Sequence, residues 1–173
     1  MALSGMANIV LRGFQFLWTL LILAIVGNMI ASAFGGNPSI INYDMFVAVF
    51  SMLSLFYLIP TTFRDSFIVH PMIMVAVDAL NALFFLIGGI AMAAILRVHS
   101  CSDSDYTKNN SITNGASDRG KRCREGQAVT AFLWFGFAAY LGSTILSALS
   151  SRGSGASLRG GGIRRGGPSM SQV

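Results

Sequence analysis

Four long apolar stretches dominate this chain, at about residues 14–34, 45–63, 71–96 and 128–149. At about 1.5 Å per helical residue, each is long enough to cross a hydrocarbon core of about 30 Å. Asp78 is the single acid inside them, and none of the four contains Lys or Arg. An unpaired backbone amide in lipid costs several kcal/mol, so each stretch must close its own hydrogen bonds as a helix. The sequence therefore predicts an all-α fold, an integral membrane four-helix bundle.

The alternative, a soluble helical bundle, needs a polar face at helical period on every segment. Residues 17–26 read Leu-Trp-Thr-Leu-Leu-Ile-Leu-Ala-Ile-Val, apolar all round. Hydrophobic residues make up 53% of the chain and charged ones 11%, and with a mean hydropathy of +0.62 the soluble reading fails. The first stretch exceeds the h-region of a cleaved signal peptide, and Ala31-Ser32-Ala33 is its one cleavage-like site, so an uncleaved signal-anchor is expected. Residues 1–150 form one four-span domain, and residues 151–173, rich in Gly, Ser and Arg, read as a disordered tail.

The connections are unequal. Residues 35–42 and 64–70 are short, and Pro71 suits the first turn of the third helix. Residues 98–127 form a long polar connection that holds both cysteines, Cys101 and Cys123. Two thiols flanking one loop read as a disulfide on an oxidising face, with two free thiols as the alternative. A metal reading would use His99 with both cysteines, but it lacks a fourth ligand. The same loop carries Asn109-Asn110-Ser111, a glycosylation pattern that makes Asn109 a possible acceptor. An outer third loop puts both termini in the cytosol, although basic residues divide evenly between the two sides.

Asp78 is the one ionisable group well inside a span, and Asn81 lies one turn on, on the same face. A buried acid costs about 2.5–3.5 kcal/mol on insertion scales, which makes this polar pair a site candidate. Transporters use such residues in company, and no second ionisable group is expected at this depth. A structural role follows, with Asp78 protonated or bonded to Asn81, Asn28 or Tyr57. No nucleophile has a base beside it, and no phosphate-binding glycine loop is present, so neither an enzyme nor a bound cofactor is expected. Nucleic acid is not expected as a partner either. Small residues four apart, Gly27 and Ala31, Gly89 and Ala93, Ala138 and Gly142, allow close helix packing and leave a homo-oligomer open. Trp18, Tyr43, Tyr57 and Trp134 are candidate interfacial anchors. The tail arginines Arg152, Arg159, Arg164 and Arg165 are candidates for contact with anionic lipid or a cytosolic partner.

The run Ile95-Leu96-Arg97-Val98-His99-Ser100-Cys101, then Arg122-Cys123-Arg124 and Gln127-Ala128, resembles the fungal non-classical export proteins of the MARVEL-domain family. Asp78-Ala79-Leu80-Asn81 and the ending Ser169-Met170-Ser171-Gln172-Val173 resemble it too, so the likeness covers nearly the whole length. It implies a MARVEL-like four-helix domain in multi-pass plasma-membrane patches associated with the eisosome, with both ends cytosolic. It also implies partners among sphingolipid-rich or anionic lipids and the BAR-domain coat, and a link to sphingolipid sensing and to unconventional protein secretion. Cys101 and Cys123 match the family's paired loop cysteines, and Asp78 with Asn81 its intramembrane polar pair. The expected function is a non-enzymatic organiser of membrane compartments. The alternative is a small transporter, channel or export accessory factor that uses Asp78.

Overall fold

The computed structural model describes residues 2–63, 71–97 and 99–159. Its order is α1 (Ala2–Ala31), α2 (Ser39–Phe63), α3 (Pro71–Leu96), a short α4 (Ser104–Asn109) and α5 (Arg119–Arg159). Among the described residues, four helices are long and apolar enough to cross a membrane, and only α4 is not. The fold is all-helical. Every long helix outruns its apolar stretch except α3, because a helix that has left lipid continues until capping or turn residues stop it. Thus α1 begins well before residue 14 and α5 well before residue 128, while α5 also runs on through residues 150–159 into the stretch assigned to the tail. The short connections at 64–70, with Arg64 and His70, lie outside the described residues, as do residues 160–173.

The four long helices pack in a ring, with α1 and α3 each touching both α2 and α5. Each turns a narrow seam inward. On α1 the buried positions are Arg12, Gln15, Thr19, Ile22, Val26 and Met29, spaced alternately three and four residues apart. That 3–4 alternation is the spacing of a left-handed bundle, where one stripe stays in register with its neighbours. The other face is just as apolar, with Phe14, Leu17, Leu20, Phe56, Leu83 and Ile145 exposed to what in a membrane is lipid.

Small residues set the helix separations. Built onto Gly136 of α5, a Cβ would stand 2.2 and 2.4 Å from ring carbons of Phe85, so the aromatic lies directly against the α5 backbone. Gly89 faces Trp134 across α3 and α5, Gly27 faces Met45 across α1 and α2, and Gly142 faces Leu11 across α5 and α1. Trp18, mid-way along α1, packs on Phe132 and Phe135 of α5 at centroid distances of 5.5 and 5.2 Å.

Candidate functional site

Near one end of the bundle the inward seams turn polar. Arg12 of α1 makes a two-pronged ion pair with Asp78 of α3, Nη1 to Oδ1 at 2.5 Å and Nη2 to Oδ2 at 2.8 Å. Both side chains are buried, Asp78 completely. Arg12 Nη1 also donates to Oε1 of Gln15 at 2.8 Å, and Gln15 Nε2 donates to the Ser143 hydroxyl and the Ala139 carbonyl of α5. One turn further in, the Ser51 hydroxyl joins Thr19 at 2.7 Å and Tyr140 at 2.6 Å. A planar guanidinium held by two parallel bonds is the geometry that best compensates a buried carboxylate. These contacts tie all four long helices together.

This corrects the expected partners of Asp78. Its carboxylate meets Arg12, which lies two residues before the apolar stretch of the first span and was left outside it. Asn81 is fully buried but donates to the Val77 carbonyl of its own helix, so Asp78 and Asn81 do not act as a pair. Asn28 donates to Glu125 at the far end, and the Tyr57 hydroxyl is buried without a partner. A second acid was missed for the same reason. Asp44, one residue outside the second stretch, is fully buried in α2 with both carboxyl oxygens unpartnered. It fits only because Gly88 lacks a side chain, where a Cβ would lie 2.9 Å from Oδ1. The signal was present in the spacing of Arg12, Gln15 and Thr19, polar residues three and four apart.

The opposite end is closed by the third loop, which caps helix carbonyls that have no intrahelical partner. The Tyr106 hydroxyl donates to the Leu96 carbonyl and Asn110 Nδ2 to the Ile95 carbonyl, both at the end of α3. Arg97 follows with φ of 52°, the left-handed turn that ends a helix. Burial raises the Tyr106 phenol above its ordinary range, against a smaller opposing effect of Arg97, which keeps it a donor. Buried Arg122 of α5 donates to the carbonyls of Ile112 and Met29 and to Oδ1 of Asn37, joining α5, the end of α1 and the first and third loops. An isolated bridge between Ala33 and Ala116 adds a backbone link between those loops. Next to Arg122, Cys123 is bonded to Cys101, with Cα atoms 5.6 Å apart.

Asn109 ends α4 exposed to solvent, its Nδ2 donating to the Asp105 carbonyl. Beside it runs an open groove of about 710 Å³, lined by Arg97, His99, Asp103, Asp105 and Tyr106, with His99 stacked on Tyr106. Among the described residues no group of His, Cys, Asp and Glu gathers as metal ligands. Arg152 and Arg159 fall on the last stretch of α5, whereas Arg164 and Arg165 lie outside the described residues.

The sequence profile of the MARVEL family, a membrane-associating domain, matches residues 6–146, which takes in part or all of every helix just described. The chain belongs to the MARVEL family. Within it, this MARVEL protein is similar along nearly its full length to the fungal non-classical export proteins. It is 38% identical to non-classical export protein 102 of Candida albicans over 98% of this chain and 99% of that protein. Non-classical export protein 2 of Saccharomyces cerevisiae is 30% identical over the same shares of 98% and 99%. The non-classical export protein 2 homolog of Schizosaccharomyces pombe is 32% identical over 82% of this chain and 76% of that protein. No solved structure matches. The MARVEL match starts at residue 6 and so includes Arg12, the residue that the apolar stretches alone excluded.

Proposed function

We propose that this MARVEL protein is a non-enzymatic organiser of plasma-membrane compartments. It would sit in eisosome-associated patches, respond to sphingolipid status, and assist export of proteins that lack a signal sequence. The observation that carries this reading is a bundle whose buried ion pair is internal and whose outer face is apolar. The Arg12 and Asp78 charges neutralise each other, and the surrounding polar groups bond helix to helix. What the bundle presents outward is a broad apolar surface, which suits reading the surrounding lipid. In this reading the disulfide-bonded end faces outside and both termini are cytosolic. Arg152, Arg159, Arg164 and Arg165 then lie where anionic headgroups or the BAR-domain coat can be met, each basic residue contributing about 1 kcal/mol near an anionic leaflet. The names of the relatives support the export role.

Imaging of the fluorescently tagged chain before and after sphingolipid depletion tests the proposal. Patches that disperse on depletion are expected, and coat assemblies that lose their form in a deletion strain. Uniform labelling throughout, with an unchanged coat, refutes it. Flux through the reconstituted protein that Asp78→Asn abolishes would favour the transporter reading instead.

A further inference from the structure

An apolar cleft of about 260 Å³ opens between α1 and α2 at the polar end of the bundle, lined by Ile9, Arg12, Gly13, Phe16, Ile59 and the α2 terminus at Thr62 and Phe63. Arg12 is the one charged residue in that lining among the described residues, and its Nε is buried with no hydrogen-bond partner. Leaving a guanidinium N–H unpaired in a low-dielectric site is costly, and of five donors in a fixed fork Asp78 and Gln15 take three, which leaves the Nε–H and one Nη2–H over. Arg12 thus brings spare N–H donors to the wall of an otherwise apolar cleft.

We infer that the cleft binds a membrane lipid, with its acyl chain against the apolar wall and its acyl carbonyl oxygen accepting from Arg12 Nε. Two observations select this chemistry. First, the ion pair with Asp78 leaves Arg12 without net charge to offer, so an anionic phosphate gains little here, while a neutral carbonyl needs only the spare N–H. Second, the depth is right. The 25 residues of α2 span about 37 Å, somewhat more than a hydrocarbon core of about 30 Å, so Thr62 and Phe63 fall at its border, where acyl carbonyls lie. The glycine in the lining gives the chain its room, since a Cβ on Gly13 would have nothing within 4 Å. Acyl esters and sphingoid amides both supply such a carbonyl. The inference stands apart from the compartment reading, because it concerns one lipid on one cleft whatever patch the protein occupies.

The test uses the full chain in detergent micelles and native mass spectrometry with three lipids of one headgroup: diester phosphatidylcholine, its diether analogue without carbonyls, and sphingomyelin, which carries an amide. The ester or the amide lipid is expected to be retained about three- to ten-fold more than the diether, the ratio set by one net hydrogen bond. Whichever of the two leads identifies the natural source. Arg12→Lys keeps the charge opposite Asp78 but removes the Nε donor, and it is expected to erase that preference. Gly13→Phe fills the cleft without touching the ion pair and is expected to displace all three. Equal retention of ester, amide and ether, a preference that survives Arg12→Lys, or unchanged retention in Gly13→Phe overturns the inference.

Discussion

Arg12→Met removes the only counter-charge, among the described residues, of a carboxylate that has no solvent exposure. Two bonds to Asp78 and one to Gln15 go with it. Breaking one side of a buried pair costs about 3–5 kcal/mol, because the surviving charge stays desolvated. Asp78→Asn leaves Arg12, 4% exposed, with its charge unmatched, and is expected to cost a similar amount. The double variant Arg12→Met with Asp78→Asn carries no buried charge, so it should recover much of the loss, with a coupling energy of about 2–3 kcal/mol. The assay is reversible unfolding by SDS in mixed micelles, followed through the fluorescence of Trp18 and Trp134, which sit on α1 and α5. Single losses that add in the double variant, with coupling under about 0.5 kcal/mol, would show that the two groups do not depend on each other.

Four other outcomes follow from the same packing. Gly136→Ala drives a methyl into the Phe85 ring and should cost about 1–3 kcal/mol in the same unfolding assay, whereas Gly13→Ala, with open space around it, should cost nothing measurable. Asp44→Asn removes an uncompensated carboxyl and should leave stability equal or higher, so a clear loss would mean that the acid has a partner or a task. Cys101→Ser or Cys123→Ser frees a loop closed over a separation of 22 residues and should cost about 3 kcal/mol, read as a lower midpoint that reductant no longer shifts. Asn109→Gln should abolish any mobility shift on glycosidase treatment of the chain made in cells, and it should leave unfolding unchanged because Asn109 is exposed.

Membership of the membrane class was legible in the apolar stretches because length and lack of charge are enough to define a span. Which face of each helix looks inward was not. In lipid both faces of a helix are apolar, so the period that marks a buried side in water vanishes, and residues 17–26 read the same all round. Only polar residues mark the seam, and those nearest the ends were cut away with the boundaries: Arg12 by two residues, Asp44 by one. Asp78 was therefore found without its partner. The two loop cysteines were legible because covalent pairing depends on residue type and compartment. The capping done by Tyr106, Asn110 and Arg122 was not, since it is a property of where three helix ends meet in space.

Synthesis runs from α1 to α5, and the contacts do not wait for one another equally. When α3 has entered the membrane, Arg12 and Asp78 can already meet. Gln15, Ser51 and the carbonyl of Met29 still lack Ser143, Tyr140 and Arg122, all of which arrive on the last helix. A chain stopped before α5 is thus a bundle with unmet polar groups turned toward lipid at both depths. The fourth span acts as a keystone: its arrival supplies the α5 partners of Gln15, Ser51 and the Met29 carbonyl in one step.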